Sequence, residues 1–217
     1  MKKSYLLTAV CLLASFGLWT ATVCFVDVQP IGPEASAVGL ASVNRFFHNF
    51  TGVHMTLYTV TDWLGLVLFG FAGGFAFLGL AQWIRRKSIL KVDHSILVLG
   101  GFYAVVIGAY LLFEVFVVNY RPVLIEGILE ASYPSSTTML TICVMSTTGM
   151  QLNTRIQNRT VKRCVLLAIT GFAIFMVVGR LISGVHWLSD IIGGTLLSTG
   201  LVMLYRSLVS NGTELCR

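Results

Sequence analysis

The chain has 217 residues, of which 56% are hydrophobic and only 11% charged, with a mean hydropathy of +0.83. Soluble domains carry about 25% charged residues, so too few charges are present to coat a water-facing surface, and a soluble globular enzyme, a disordered chain and a collagen-like chain are all excluded. The net charge of +6 lies in short basic clusters between long apolar runs, an arrangement that orients membrane helices rather than one that grips nucleic acid.

Spanning helices need roughly 20 apolar residues each. Six segments qualify, at approximately 5–26, 57–84, 94–118, 137–152, 161–182 and 187–208. The expected architecture is an all-α integral membrane six-helix bundle forming one domain over residues 1–217. The first segment follows Met1, Lys2 and Lys3; its apolar run is too long for a secretory signal core, and no small-x-small cleavage site closes it. It is expected to remain as a signal anchor. After it, Leu40, Val43, Phe46, Phe47 and Phe50 recur at helical spacing, with Asn44, Arg45, His48 and Asn49 between them. That pattern predicts a short amphipathic helix lying in the outer interface; an ordinary loop with scattered aromatics is the alternative.

Orientation follows from the basic residues. Lys2, Lys3, Arg85, Arg86, Lys87, Lys91, Arg155, Arg159, Lys162, Arg163, Arg206 and Arg217 fall at the amino terminus, in alternate loops and at the carboxyl terminus. The positive-inside rule makes that face cytoplasmic, with both termini inside. Arg45, Arg121 and Arg180 are left on the opposite face, and each needs a reason to be there. Cys11, Cys24, Cys143, Cys164 and Cys216 show no CxxC spacing and read as packing residues.

Two outer loops carry the chemistry. Arg180 ends the fifth span, while His186 and Asp190 begin the sixth at an i, i+4 spacing that shares a helix face. Asp190 is therefore expected to hold His186 by one ring nitrogen, leaving the other free as a nucleophile. The loop before the fourth span contains Arg121-Pro122 and then Pro134-Ser135-Ser136-Thr137. Proline followed by hydroxyl residues starts a helix, with Ser135 or Ser136 as cap, and the free N–H groups of a helix start favour an anion. Six alternating spans bring all of these to one rim, where arginine forks suit phosphate oxygens.

These residues resemble the type 2 phosphatidic acid phosphatase family of membrane lipid phosphatases, whose motifs are Lys-x6-Arg-Pro, Pro-Ser-Gly-His and Ser-Arg-x5-His-x3-Asp. The third is nearly complete as Gly179-Arg180, His186 and Asp190. The resemblance implies a six-span bundle in which His186 takes the phosphoryl group as phosphohistidine and Asp190 orients it. Arg121, Ser135, Ser136 and Arg180 would hold the phosphate oxygens. The chain departs from the pattern in three places: Glu114 stands for the lysine, Thr137 for the histidine that protonates the leaving group, and Gly179 for a serine. Glu126 or Glu130 would then be the remaining acids able to replace the lost one. Asp62, beside Trp63, reads as an interfacial anchor.

The function this predicts is removal of phosphate from a lipid phosphate or isoprenoid diphosphate at the extracytoplasmic face of the cell membrane. The expected partners are a phosphorylated lipid and the bilayer itself. No cofactor is expected, and none of His48, His54 and His94 has a metal-ligand partner at useful spacing. Two rivals remain: a degenerate relative that binds a phosphorylated lipid as sensor, scaffold or transport component, and a transporter or channel. The latter is disfavoured by charges gathered at one rim and by the lack of an inverted repeat.

Overall fold

A computed structural model describes residues 2–215, with side chains for 3–210. Lys2, Cys216 and Arg217, counted above, fall outside the described side chains. The described residues are helical, in the order α1 (Lys2–Phe25), α2 (Ala41–Thr51), α3 (Met55–Arg86), α4 (His94–Val115), α5 (Ser136–Arg155), α6 (Arg159–Ile182) and α7 (Leu188–Leu215). Three isolated antiparallel bridges in the loops are the only extended pairing among them, and two, Tyr120 with Ala131 and Ile125 with Ile128, fold the long α4–α5 connection back on itself.

Five helices are long and apolar enough to cross a membrane: α1, α3, α4, α6 and α7. The helix expected at 137–152 is present as α5 but falls short of that measure. The reason is position. α5 lies against α3, α4, α6 and α7, and it buries Thr138, Thr141, Thr147, Thr148 and Gln151 along with Met139, Cys143, Val144 and Met145. A helix enclosed by other helices need not be apolar, because its polar side chains face protein rather than lipid: Thr147 Oγ1 bonds back to Cys143 O at 2.8 Å, while the hydroxyls of Thr138, Thr141 and Thr148 are buried without a partner. The lipid-facing requirement falls on its neighbours, which expose Phe69, Phe77, Leu111 and Leu167. Span boundaries also move: α3 runs from Met55 to Arg86, α4 stops at Val115 rather than 118, α5 ends at Arg155 rather than 152, and α7 runs to Leu215 rather than 208.

The core follows from this enclosure. Phe75, Leu99, Phe102, Val106, Met139, Cys143, Leu201 and Tyr205 form one buried cluster between α3, α4, α5 and α7. Leu68, Val144 and Met145 form a second between α3 and α5. At the end bearing Lys91 and Arg155, Gln151 ties the bundle together, donating to Tyr205 Oη at 2.6 Å and to Ser95 O at 3.2 Å.

The amphipathic helix is present as α2, starting one residue later than its apolar pattern, because Leu40 is left-handed at the N-cap position. That start lacks a cap of its own, and Asp27 supplies one from across the loop, accepting from Ser42 N at 2.7 Å. The bonds from Ser42, followed by one from Gln29, hold the exposed Asp27 carboxyl below its ordinary value. α2 turns Val43, Phe46 and Phe50 outward. Its polar Asn44 is buried, donating to Gly39 O at 2.8 Å and Ser189 Oγ at 2.9 Å. This inverts the usual soluble arrangement and suits an apolar surrounding. Arg45 is exposed on α2, with its guanidinium 3.4 Å from Gln29 Oε1.

The α6–α7 turn is shaped by Gly184, whose φ of +69° is left-handed and whose missing side chain admits Gly52 O; a Cβ there would lie 2.0 Å from that oxygen. Gly184→Ala is therefore expected to cost about 2 kcal/mol or more, read as a lowered unfolding temperature in detergent micelles.

Candidate active site

The residues singled out in the two outer loops converge. Arg180, in the last turn of α6, is buried. His186 lies in the turn that follows, and Asp190 lies in the first turn of α7. The α4–α5 connection folds over them as a narrow ribbon, with Ser132 N donating to Asn119 O at 2.9 Å and Arg121 N to Glu130 O at 3.0 Å. The ribbon thereby carries Arg121, Glu130, Asn119 and Ser132 to the same place.

Asp190 is fully buried, and its carboxylate is filled with donors. Oδ2 accepts from Trp187 N at 2.9 Å and from Ser132 Oγ at 2.5 Å. Oδ1 accepts from Asn119 Nδ2 at 3.2 Å and Ser189 Oγ at 3.3 Å. The direct grip on His186 expected from the i, i+4 spacing does not form. His186 Nδ1 is 3.9 Å from Asp190 Oδ2, beyond a hydrogen bond, and Ser132 Oγ stands between them, 3.0 Å from Nδ1. The turn that holds His186 is not yet helical, so the two residues do not stack as a full helical turn would place them.

The two arginines share a platform. The Tyr58 ring on α3 lies 4.7 Å from the Arg180 guanidinium and 5.8 Å from that of Arg121, which offsets part of their mutual repulsion. Each also has a carboxylate partner: Asp62 Oδ1 is 2.7 Å from Arg180 Nη2, and Glu130 Oε2 is 3.0 Å from Arg121 Nε. Asp62 is thus an arginine partner rather than a plain interfacial anchor. These carboxylates engage one edge of each fork only. Arg180 Nε and Nη1, Arg121 Nη1 and His186 Nε2 are all buried without a hydrogen-bond partner. Buried polar atoms usually find a partner, and three of these four are guanidinium donors.

Gly179, which stands where the resemblance has serine, explains how α3 comes this close. A Cβ at Gly179 would meet Thr61 Cγ2 at 2.8 Å. Its absence lets α3 pack against α6, and Tyr58 and Asp62 are the residues of α3 that then reach Arg180.

The other sequence candidates are placed as follows. Ser135 is the N-cap of α5, its Oγ accepting from Thr138 N at 3.5 Å and its N–H donating to Asp190 O at 3.1 Å. Its hydroxyl is thus engaged with its own helix. Ser136 and Thr137 are half-buried in the first turn of α5. Glu114, near the end of α4, is exposed and lines a small cleft with Tyr110, Phe113 and Ser132. Sequence reasoning missed Ser132, Asn119, Tyr58 and the pairing of Asp62 with Arg180. The placement of Asp62 and Tyr58 at i and i+4 on α3 was the available signal for the last two.

His186 is held well below the ordinary histidine value, first by burial and then by the charges of Arg121 and Arg180. It is expected to remain neutral at pH 6.5, where a free histidine is half protonated, checked by following its ring ¹⁵N resonances. The unfolded chain takes up that proton near pH 6.5 and the folded one does not, so this group's contribution makes stability fall as pH drops below 6.5. A second expectation concerns α3. Gly179→Ser should destabilise by about 1–3 kcal/mol through overpacking, and Thr61→Ser, which removes the obstructing methyl, should recover much of the loss. Thermal unfolding of the two single variants and the double variant measures this.

Comparison with known proteins gives the family and the fold. The model of the PAP2 superfamily matches residues 67–214, a stretch that contains every motif position from Glu114 to Asp190. Among solved structures, the fold is similar to one described as the first transmembrane PAP2 type phosphatidylglycerolphosphate phosphatase from Bacillus subtilis. That similarity has a TM-score of 0.58 at 18% identity, over 97% of this chain and 98% of that one. A search of curated proteins finds no match. Since the family model spans more than half of the sequence and takes in Arg121, Arg180, His186 and Asp190, the chain belongs to the PAP2 superfamily.

Proposed function

We propose that the protein removes phosphate from a lipid phosphate or an isoprenoid diphosphate at the extracytoplasmic face of the membrane, through a phosphohistidine on His186. The observation that carries this reading is the set of unpartnered buried atoms: guanidinium N–H groups of Arg121 and Arg180 beside the free Nε2 of His186. A phosphoryl group seated among them would satisfy the donors while presenting phosphorus to the nitrogen. In this reading α5 completes a six-span bundle with both termini cytoplasmic, and the lipid tail stays in the bilayer while the headgroup enters at the rim.

The reaction has two displacements. The Nε2 lone pair attacks phosphorus, the bond from phosphorus to the leaving oxygen breaks, and the leaving group departs with that electron pair. Water then attacks the phosphorus, the N–P bond breaks, and inorganic phosphate leaves. Arg121 and Arg180 stabilise the charge gathered on the equatorial oxygens in both steps. Ser135 and Ser136 sit at the start of α5, where the helix terminus adds to the same field.

Leaving-group chemistry narrows the substrate. An alkoxide, with a pKa of about 16, needs a proton as it departs, and a general acid there is worth roughly 10²–10⁴-fold. Thr137 cannot supply that proton, and the Glu130 carboxyl is occupied by its ion pair with Arg121. A phosphate leaving group, with a pKa of about 7, departs without help. The diphosphate is therefore the preferred substrate.

The test is a panel of matched lipid mono- and diphosphates given to the purified protein in nanodiscs. Release of phosphate is expected to be faster for the diphosphate and to fall at least about 10³-fold in His186→Ala. Faster monoester cleavage overturns the preference, and release unchanged in His186→Ala overturns the mechanism. The second reading, a relative that binds a phosphorylated lipid without cleaving it, draws on Glu114 and Thr137 at the altered motif positions. Binding without release from any member of the panel would establish it.

A further inference from the structure

We propose that Ser132 is a positioning residue of this site. Its hydroxyl connects Asp190 to His186, fixes the Nδ1–H tautomer, and so leaves the Nε2 lone pair facing the two arginines. The inference rests on the phosphohistidine reading for its kinetic consequence, but its structural part stands on the geometry alone.

A serine hydroxyl has one proton and two lone pairs. Ser132 Oγ lies 2.5 Å from Asp190 Oδ2 and 3.0 Å from His186 Nδ1. A carboxylate can only accept, so the hydroxyl proton goes to Asp190, and Oγ must accept from Nδ1–H. The order of donation is thereby set from His186 to Ser132 to Asp190. Asp190 cannot bypass the serine, because the direct gap is 3.9 Å. The carboxylate is also held by Trp187 N, Asn119 and Ser189. Ser132 is fixed in turn by its own N–H, which donates to Asn119 O at 2.9 Å. Its hydroxyl makes no other bond among the described residues, so both of its interactions belong to the site.

The consequence is electrostatic. When Nε2 bonds to phosphorus, the ring becomes cationic, and the proton on Nδ1 stays where it is. The Ser132 hydroxyl is already aligned, with its oxygen toward that proton and its hydrogen toward the Asp190 charge. No proton has to move, and no group has to turn during the step. The ribbon that carries Ser132 also carries Arg121, so nucleophile orientation and phosphate binding share one support.

The test uses the full-length protein in nanodiscs with a lipid diphosphate as substrate. Ser132→Ala should lower kcat about 10–100-fold, the loss typical when the hydrogen-bond partner that orients a metal-bound histidine is removed, and leave KM within about threefold. Asp190→Asn should be costly in the native background and cost clearly less in Ser132→Ala, because the part of its influence that passes through the serine is already gone there. An equal fold-loss for Asp190→Asn in both backgrounds, or an unchanged kcat in Ser132→Ala, overturns the proposal. Where Ser132→Ala does not fold, Ser132→Cys, whose thiol is a weak donor, serves in its place with a smaller loss expected.

A second readout does not need turnover. In protein labelled with ¹⁵N-histidine, the His186 signals, assigned by their absence in His186→Gln, should show Nδ1 protonated and Nε2 bare. In the Ser132 variant they should show a mixture of tautomers, and an unchanged single tautomer overturns the role. If phosphate release survives His186→Ala, or no lipid on the panel is cleaved, the functional reading fails, and these spectra alone decide the placement of Ser132.

Discussion

The buried carboxylate of Asp190 is the interaction on which the end of the molecule bearing Arg121 and Arg180 depends. A charge removed from water is tolerated only when its lone pairs are occupied, and four donors from three chain segments occupy these. Trp187 and Ser189 come from the start of α7, and Asn119 and Ser132 from the two sides of the ribbon between α4 and α5. Satisfying one anion thus fixes where the ribbon crosses the bundle. Because Arg121 is two residues from Asn119, it also fixes where a second guanidinium stands. The interfacial helix joins the same network through Asn44, which bonds to Ser189 by both its amide nitrogen and its amide oxygen.

Around that anchor two guanidinium groups are held close together. Arg121 and Arg180 would repel one another across the Tyr58 face without help, and Asp62 and Glu130 each neutralise one edge. What remains is a set of buried guanidinium donors whose charge acts on the His186 imidazole. The altered motif positions fit this balance. With Glu114 in place of a lysine, the site has one fewer cation, and α3 approaches closely enough to hold Arg180 firmly, an approach that Gly179 permits.

Much of this was legible in the sequence because it is encoded in spacing. The i, i+4 pair of His186 and Asp190, the arginines on the face that should lack them, and the proline before two serines all mark the same rim. The amphipathic period of residues 40–50 marked α2. What remained hidden depends on contacts between distant elements. Ser132 looks like any loop serine until the ribbon folds, and the chain separation of 118 residues between Asp62 and Arg180 gives no hint of a 2.7 Å contact. The direct His186–Asp190 bond failed because the spacing rule assumes a regular helix, and α7 begins only at Leu188. α5 defeated a purely compositional view for the opposite reason, since its environment is protein rather than lipid.

The enclosure of α5 bears on how the chain enters a membrane. Its hydroxyl- and amide-bearing residues partition poorly into hydrocarbon on their own. Only residues 156–158 separate it from the strongly apolar α6. On the six-span reading, the two would be released from the insertion machinery as a hairpin, α6 drawing in a partner that could not pass unaided. Until the remaining helices close around it, the threonine-rich surface of α5 would face lipid, so the vulnerable moment of biogenesis falls between synthesis of α5 and docking of α7.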